Sequence, residues 1–251
     1  MTRSVVDVAV PEMKTKPATD ENTNSLPVSE MFYSLQGEGP SIGRPAIFIR
    51  LWGCNLRCKW CDTPFAYHTK DGDNDYTDMK IYQMVEEIRE LANLRPLVVI
   101  TGGEPLMHNN SLVTLVRALR KHGYRYIEIE TNGTLLPPDE LKNVCTFVVS
   151  PKLTNARLKN APDIHYSFFV GLAREDRARF KFVVDKKEDM REIWEIEGQY
   201  HMQPEWTYLM PQGRNTRDMQ TREWLVDICK QIGYRYSPRL QVLLWGDKRG
   251  V

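Results

Sequence analysis

Apolar and polar positions follow two alternating periods along most of the chain. Seven short runs rich in β-branched and aromatic residues predict strands, and they cover residues 46–51, 97–101, 126–130, 146–150, 180–184, 207–210 and 240–244. Between several of them, apolar residues recur at the spacing of an amphipathic helix. The two clearest helical stripes are Ile81, Met84, Val85 and Ile88, then Leu112, Leu115, Val116 and Leu119, the second with a cap at Asn110 and an end at Gly123. The pattern therefore predicts strands that alternate with helices.

Such alternation predicts a parallel sheet, because parallel neighbours need long crossover connections. The helices then cover the outer face of the sheet. About 225 residues follow residue 26; this is fewer than the ~250 of a complete eight-unit barrel, and some connections are too short for a full helix. We therefore expect an α/β fold, an incomplete TIM-like (β/α) barrel with parallel strands.

The composition is that of an ordinary globular protein, with 41% hydrophobic residues, 27% charged residues and a formal net charge of +1. This charge gives no support to a nucleic-acid surface, and no apolar run reaches the ~18 to 20 residues of a membrane span. The amino end lacks the apolar core of a secretory signal. We therefore expect a cytoplasmic protein whose five cysteines stay reduced.

Residues 1–26 contain Pro, Asn and Thr with almost no apolar periodicity. This composition predicts a flexible leader, followed by a single domain over residues 27–251. The short alternation of Val5, Val6, Val8 and Val10 leaves an edge strand as the alternative for part of the leader.

Polar or glycine-rich signatures follow five of the predicted strands at their carboxyl ends. They are residues 53–54, 102–105, 131–133, 151–152 and 211–213. In a parallel barrel these ends converge on one mouth, which is where active sites are built. Turn formation alone explains any one of these loops, but five together favour a shared site.

Cys54, Cys58 and Cys61 form a C-x3-C-x2-C run in the first of these loops, and spacing this close lets one loop surround a metal centre. Zinc needs four N or S ligands, and the fourth would have to be His68. A nucleophilic cysteine does not need two neighbours, and no His and carboxylate signature accompanies the run. A 4Fe-4S cluster is the third interpretation, because three thiolates leave one iron open to bind a small molecule.

The cysteine run followed by the Gly-Gly-Glu-Pro loop at residues 102–105 resembles the radical S-adenosylmethionine (SAM) superfamily. The resemblance implies that the open iron binds the amino and carboxylate groups of SAM, and that one electron splits SAM to give a 5'-deoxyadenosyl radical. Residues 32–39, Arg50 and residues 60–63, 130–133, 150–152 and 245–251 resemble the 7-carboxy-7-deazaguanine synthase family in particular. That family converts 6-carboxy-5,6,7,8-tetrahydropterin to 7-carboxy-7-deazaguanine with loss of ammonia, a step toward queuosine and related deazapurines.

The resemblance also implies roles for residues of this sequence. Cys54, Cys58 and Cys61 are implied to be the catalytic cluster ligands, and the Thr63 hydroxyl to bind Mg2+. The implied SAM-binding residues are Trp60, Cys61, Asp62, Gly102, Gly103, Glu104, Ser150, Pro151, Lys152, Met210, Pro211, Gln212 and Gly213. The implied substrate-binding residues are Leu35, Gln36, Gly37, Glu38, Arg50, Thr101 and Val251. The implied partners are a second copy of the chain and a reducing electron donor such as flavodoxin.

These residue types suit the implied ligands. Gln36 and Glu38 can meet the ring edge of a pterin, and Arg50 offers a planar fork to its carboxylate. Glycines permit close backbone approach to SAM, and the Glu104 carboxylate can accept from its ammonium group. Taken singly, residues 36–39 are also explained as a solvated turn, and Arg50 and Thr101 as surface residues at strand ends.

Two other functions remain open from the sequence. Another radical SAM enzyme, such as an activase that places a glycyl radical on a partner protein, would share the cysteine run and the double glycine. It would have no reason to carry the pterin-facing set. A zinc or iron-sulfur module without catalysis would need only the cysteines. Cys145 and Cys229 sit in apolar surroundings, which predicts that they pack as small hydrophobic residues.

Overall fold

The computed structural model describes residues 25–67, 75–220, 222–246 and 248–251. Its strands are β1 (Ser25–Leu35), β2 (Pro45–Leu51), β3 (Thr77–Lys80), β4 (Leu97–Gly102), β5 (Ile127–Thr131), β6 (Thr146–Val149), β7 (Ala178–Val184), β8 (Thr207–Pro211) and β9 (Arg235–Tyr236). Within the described residues they form one sheet in the order β3-β1-β2-β4-β5-β6-β7-β8-β9. Neighbours from β2 to β9 run parallel, whereas β1 pairs antiparallel with β2 and β3. The sheet stays open between β3 and β9, as expected for a partial barrel.

The connections between the parallel strands are mostly helical. The α-helices are α1 (Ile81–Leu91), α2 (Asn109–Lys121), α3 (Asp139–Lys142), α4 (Tyr166–Arg174), α5 (Asp189–Tyr200), α6 (Thr216–Gln220), α7 (Glu223–Ile232) and α8 (Leu240–Trp245). The predicted apolar stripes of α1 and α2 are both buried. They join one core with the apolar side chains of one face of the sheet.

The two faces of the sheet have different partners because successive side chains of a strand point in opposite directions. On β7, Phe180 and Phe182 belong to the core that the helices share, whereas Lys181 lies on the other face and borders a cavity. On β5, Ile129 is in the core and Glu130 borders the same cavity. Each fully buried large apolar side chain stabilises the fold by roughly 1.5–3 kcal/mol, so the core face contributes most of the stability. The other face carries a smaller apolar cluster on β2 and β4 and polar groups on β5 and β7.

Six of the seven predicted strands are confirmed to within one or two residues, but the prediction for residues 240–244 is wrong. That run lies in α8. Short apolar runs do not distinguish a helix from a strand, and this one contains a single β-branched residue, Val242. Val242 is also the only buried residue of α8, while Leu243 and Leu244 are about half exposed. The run therefore buries one side of a short helix.

Other local expectations also changed. The strands β1, β3 and β9 were missed by the periodicity analysis, and β1 and β3 are the antiparallel part of the sheet. The predicted cap at Asn110 is wrong, because α2 begins at Asn109 and its N-cap is His108. The predicted end of α2 is confirmed, since Gly123 follows the helix with a φ of 88°.

The leader predicted over residues 1–26 lies outside the described residues except for Ser25 and Leu26, which begin β1. Leu26 is buried in the main core. The alternative edge strand at Val5 to Val10 lies outside them as well, and the division into a leader and one domain stays a prediction. In the described parts of the chain, no helix has both the length and the apolar character needed to cross a membrane.

Candidate active site

A cavity of about 530 Å³ lies on the face of the sheet opposite the helices. Its volume is typical of small-molecule sites, which enclose roughly 300–1,000 Å³. The carboxyl ends of parallel strands form one wall of the cavity. The other walls are the segment after β1, the cysteine loop (residues 54–61) and the last residues of the chain. The strand ends thus converge on one mouth, as the sequence predicts.

Most of the residues implied by the family resemblance border this cavity. Those that do are Leu35, Gln36, Gly37, Glu38, Arg50, Cys54, Cys58, Trp60, Cys61, Asp62, Thr63, Thr101, Gly102, Gly103, Ser150, Lys152, Met210 and Val251. Five implied SAM-binding residues do not line it, namely Glu104, Pro151, Pro211, Gln212 and Gly213. The structure therefore gathers residues from distant parts of the sequence around one space.

The cysteine loop is anchored at both ends by backbone hydrogen bonds. The Gly53 N–H donates to the Ala66 carbonyl oxygen at 2.7 Å, and the Lys59 N–H donates to the Ala156 carbonyl oxygen at 2.9 Å. Between these anchors the Leu56 side chain is buried. An apolar anchor between the first two cysteines fixes the loop while it leaves all three thiols at the cavity.

The three cysteine thiols are free and half-buried. Burial raises the pKa of Cys54 to about 11, and the nearby Glu104, Cys58 and Cys61 add to the rise. Burial also raises the pKa of Cys58, although Lys152 opposes the shift. Both thiols therefore hold their protons at neutral pH until a metal replaces them.

This donor set fits a 4Fe-4S cluster. Such a cluster binds thiolates on separate irons, so it needs thiols spread around a pocket. The described residues contain no group of three or more His, Cys, Asp or Glu side chains arranged around a single metal ion, while all three loop cysteines border one cavity. His68, the fourth ligand in the zinc interpretation, lies outside the described residues.

The double glycine after β4 lets two loops approach each other closely. Gly102 has a φ of 135°, and a Cβ there would overlap the backbone of Leu51. A Cβ at Gly103 would stand 2.5 Å from the carbonyl carbon of Gly53 and 2.9 Å from the Cβ of Cys54. The glycines are therefore required by the contact between the β4 loop and the cysteine loop, besides any approach to a ligand.

Glu104 is fully buried and does not line the cavity. Its carboxylate accepts from the Thr131 hydroxyl at 2.8 Å and the Asn132 N–H at 2.6 Å, and also from the Leu106 N–H at 3.1 Å. Burial raises the pKa of this carboxyl group, and the three hydrogen bonds oppose the rise. In this structure Glu104 joins the loop after β4 to the loop after β5.

Trp60, Ser150 and Lys152 come together on one side of the cavity. The Lys152 ammonium donates to the Ser150 hydroxyl at 2.8 Å and lies 5.6 Å from the centre of the Trp60 ring. A cation over an indole face is attracted by the ring quadrupole. These three residues, all implied to bind SAM, thus form a connected wall next to the cysteine loop.

Glu38 is bound by several donors at once. Its carboxylate accepts from Lys181 at 2.6 Å, from Arg239 at 3.0 Å and from Gln241 at 2.7 Å. Burial alone would raise the pKa of Glu38, but the charges of Lys181 and Arg239 hold it well below the usual range. Glu38 therefore stays ionised and anchors a buried set of charges.

The segment after β1 is also tied to the C-terminal part of the chain. The Leu240 N–H donates to the Gly37 carbonyl oxygen at 2.9 Å, and the Gly39 N–H donates to the Ser237 hydroxyl at 2.8 Å. A Cβ at Gly37 would stand 2.8 Å from the Cδ of Gln241. Glycine at this position lets α8 close one side of the cavity.

Gln36 lies over a pair of carboxylates on β5. Its amide donates to Glu128 at 3.1 Å and to Glu130 at 3.2 Å, and Glu130 also accepts from the Thr101 hydroxyl at 2.8 Å. Burial raises the pKa of Glu128 to about 6, and the neighbouring Glu130 adds to the rise, while hydrogen bonds from Ser41 and Gln36 oppose it. Gln36, Thr101 and Glu130 therefore form a hydrogen-bonded floor on this side of the cavity, whereas Glu128 is buried and does not line it.

Arg50 borders the cavity next to the C-terminal residues. Its Nε donates to Glu30 at 2.7 Å, and Arg249 donates to the other oxygen of Glu30, also at 2.7 Å. The Arg249 guanidinium lies 3.7 Å from the centre of the Phe65 ring. These contacts hold the end of the chain near Arg50, and Val251 lines the cavity beside it.

Several cavity residues were missed from the sequence, and the clearest are Glu130, Lys181 and Arg239. The sequence contains a pattern that indicates a polar role for Glu130 and Lys181. Lys181 interrupts an otherwise apolar strand between Phe180 and Phe182, and a charged residue at every second position of a buried strand indicates a polar face. For Arg239 the sequence offers no comparable signal.

Comparison with known proteins agrees with this geometry. The Radical SAM superfamily profile matches residues 51–153. A 7-carboxy-7-deazaguanine synthase of Pyrobaculum aerophilum is 37% identical over 233 residues, which cover 91% of this chain and 98% of that relative. Another, from Rhodopirellula baltica, is 34% identical and covers 98% of this chain and 97% of the relative.

The fold is also found among solved structures. The crystal structure of QueE from Escherichia coli is similar with a TM-score of 0.68 and 26% identity, and the match covers 88% of this chain and 99% of that one. A structure of SuiB from Streptococcus suis bound to S-adenosylmethionine, at 15% identity and a TM-score of 0.50, shares the fold alone. The similarity to the curated relatives extends over nearly the whole chain. This chain therefore belongs to the 7-carboxy-7-deazaguanine synthase family of radical SAM proteins.

Proposed function

We propose that the chain converts 6-carboxy-5,6,7,8-tetrahydropterin to 7-carboxy-7-deazaguanine with release of ammonia, a step in the biosynthesis of queuosine and related 7-deazapurines. The observation that carries the proposal is the single cavity that joins the three loop cysteines to a polar wall containing Gln36, Arg50 and Thr101. A cluster alone would need only the cysteines. A polar organic substrate needs the wall as well.

As a radical SAM protein, the chain takes a 4Fe-4S cluster and SAM as cofactors. Cys54, Cys58 and Cys61 would hold the cluster. Bound together, the two cofactors supply a carbon-centred radical that removes one hydrogen atom from the substrate. The wall formed by Trp60 and Lys152 at the cysteine loop is suited to orient SAM.

The substrate-binding roles follow from the contacts of the polar wall. Arg50 uses its Nε for Glu30, and in the described residues its other guanidinium nitrogens make no hydrogen bond within 3.5 Å, so they are available for the substrate carboxylate. Gln36 and Thr101 lie on the cavity floor to meet the ring edge. Glu38 holds residues 35–37 in position through its buried ion pairs. Val251 contributes from the segment that Arg249 holds near Arg50.

The proposal includes a magnesium ion at Thr63. The Thr63 hydroxyl lies 3.8 Å from the Cys61 sulfur and borders the cavity. A hard oxygen at that place can bind Mg2+ together with the substrate carboxylate, because Mg2+ prefers oxygen ligands and keeps several exchangeable positions. The ion would fix the carboxylate in one geometry during the rearrangement.

The proposal also includes a homodimer, a protein electron donor such as flavodoxin, and a cytoplasmic location. A reduced cluster requires a supply of single electrons and a compartment that keeps thiols reduced. Light scattering after size exclusion tests the dimer, with about twice the 29.3 kDa chain mass as the expected result.

The decisive experiment is anaerobic turnover. The reconstituted protein is reduced and incubated with 6-carboxytetrahydropterin and SAM, and the products are separated by mass. We expect the ring-contracted acid and ammonia in equal amounts. Cleavage of SAM without this acid would favour a different radical SAM enzyme, and a colourless protein with stoichiometric zinc would favour the non-catalytic module.

A further inference from the structure

Arg239 lies where three segments at the cavity meet. It is buried and directly precedes α8. Its Nε donates to Glu38 at 3.0 Å. Its two terminal nitrogens donate to the Gly213 carbonyl oxygen and to the Asp62 carboxylate. One planar group therefore joins the segment after β1, the end of the cysteine loop and the loop after β8.

The geometry requires an arginine in particular. A guanidinium presents its N–H groups in a rigid planar fork, whereas a lysine ammonium is a single flexible point charge. Each edge of the Arg239 fork has its own acceptor on a different segment. Although Arg239 borders the cavity, each of its three nitrogens donates to a protein oxygen, so three of its five N–H groups hold protein segments.

The acceptors depend on Arg239 to different degrees. Glu38 is also bound by Lys181 and Gln241, so it keeps two donors without Arg239. In the described residues, Asp62 has no other ion-pair partner, and its side chain is 45% exposed. Asp62 therefore owes its ion pair in the described part of the chain to Arg239, while Arg214 and Asn155 hold the Cys61 carbonyl oxygen and the Trp60 side chain of the same loop.

We infer that Arg239 is a positioning residue that couples the SAM site to the substrate site. The inference rests on the proposed function, in which the wall at Trp60 and Lys152 orients SAM and Gln36 meets the substrate. Because the fork is rigid, a shift of the cysteine loop when SAM binds is transmitted to Glu38 and the segment before it. Substrate binding acts on SAM binding through the same group, since coupling between two sites is reciprocal.

A purely structural role makes a different prediction from a coupling role. Loss of a structural residue weakens the binding of both ligands but leaves unchanged the factor by which one ligand alters the affinity for the other. Loss of a coupling residue removes the mutual effect. In a variant without the coupling residue, we also expect SAM to be cleaved without conversion of the substrate, so that 5'-deoxyadenosine accumulates without product.

The test is equilibrium binding of SAM to the anaerobic holoenzyme, with the cluster kept oxidised so that no cleavage occurs. The Kd for SAM is measured by calorimetry with and without saturating 6-carboxytetrahydropterin. We expect the substrate to tighten SAM binding in the wild type by a factor within the roughly 5- to 150-fold range of coupled sites. We expect this factor to fall to near 1 in Arg239→Met and to be partly restored in Arg239→Lys.

Arg235→Met is the matched control, because Arg235 lies on β9 of the same C-terminal segment, is exposed and stacks on Tyr208 away from the cavity. It should keep the wild-type coupling factor. Should Arg239→Met fail to fold, Asp62→Ala removes the Asp62 acceptor of the fork at a partly exposed residue, and a loss of coupling is expected there as well. Turnover gives the ratio of 5'-deoxyadenosine to product as a second readout, expected to rise in Arg239→Met and Asp62→Ala and to stay at the wild-type value in Arg235→Met.

Two results would overturn the inference. One is a wild-type enzyme in which substrate does not alter the Kd for SAM. The other is an Arg239→Met or Asp62→Ala variant with an unchanged coupling factor and an unchanged product ratio. Failure of the proposed function is separate, because it appears as a wild-type holoenzyme that makes no ring-contracted acid under any condition.

Discussion

Gly103→Ala tests the close contact between the β4 loop and the cysteine loop. The new Cβ would overlap the Gly53 carbonyl group and stand 2.9 Å from the Cβ of Cys54. Carbon atoms in good contact are about 3.5–4.0 Å apart, so the loops must separate by roughly 1 Å or more. The neighbours of Gly103 are backbone atoms, which cannot move away as the end of a flexible side chain does.

The separation breaks hydrogen bonds that join the two loops. The Gly103 N–H donates to the Leu51 carbonyl oxygen at 3.0 Å, and the Glu104 N–H donates to the Gly53 carbonyl oxygen at 2.8 Å. Each buried group left without a partner costs about 1–3 kcal/mol. We therefore expect the free energy of unfolding to fall by roughly 2–6 kcal/mol. In a chain of this size, that corresponds to a Tm lower by roughly 4–24 °C. Cys54 moves with its backbone, so cluster incorporation should fall as well.

The assay combines thermal unfolding with iron and sulfide counts after identical anaerobic reconstitution. Gly171→Ala is the control, because Gly171 lies within α4 and a Cβ there meets nothing within 4 Å. Alanine favours a helix over glycine by about 1 kcal/mol, so this variant should be as stable as the wild type or more stable. A Gly103→Ala protein with wild-type Tm and iron content would refute the reasoning.

Three further predictions concern single side chains. Cys58→Ala should abolish cluster binding and SAM cleavage. Cys145→Ala is the control, because it should lose some stability but keep its iron. Formation of 5'-deoxyadenosine by the Cys58 variant under reducing conditions would contradict the cluster assignment. Thr63→Ala should keep its cluster and visible spectrum but lose most of its activation by Mg2+, and an unchanged Mg2+ titration would remove Thr63 as a ligand. The pKa of Glu128 is raised to about 6 in the folded state, so the folded protein holds a proton that the unfolded protein releases. The stabilisation that this proton gives to the folded state is complete below about pH 4.5 and is lost as the pH rises through about 6. Relative to Glu128→Gln, the wild type should lose about 2 kcal/mol of unfolding free energy between about pH 4 and about pH 7. If the difference in unfolding free energy between the two proteins is the same at all pH values, Glu128 does not titrate as a buried group.

The sequence predicts the parts of the site that are continuous in the chain. The cysteine loop and the double glycine at residues 102–103 are local motifs whose chemistry can be recognised from spacing. The strands that carry them have strong β-branched runs, and the pattern of strand and helix fixes on which edge of the sheet their loops lie. Those features are confirmed by the structure.

The sequence does not predict contacts between distant segments. The ion pair of Glu38 with Arg239 joins residues 201 positions apart, and no local period reports it. Glu104 shows the same limit, because its motif suggested a ligand contact while the structure places its carboxylate in a buried network with Thr131 and Asn132. For α8, the apolar run was wrongly predicted to be a strand, because five residues are too few to distinguish a helix from a strand by their period.

The link between the segment after β1 and the region around Leu240 has a consequence for how the protein is made. Residues 54–61 are translated before Ser237 and Leu240, which hold Gly39 and Gly37. Domains begin to form during synthesis from the amino end, so the strands beside the cysteines can pair before the segment around Leu240 is made. The wall that α8 contributes to the cavity is therefore added after the other described elements.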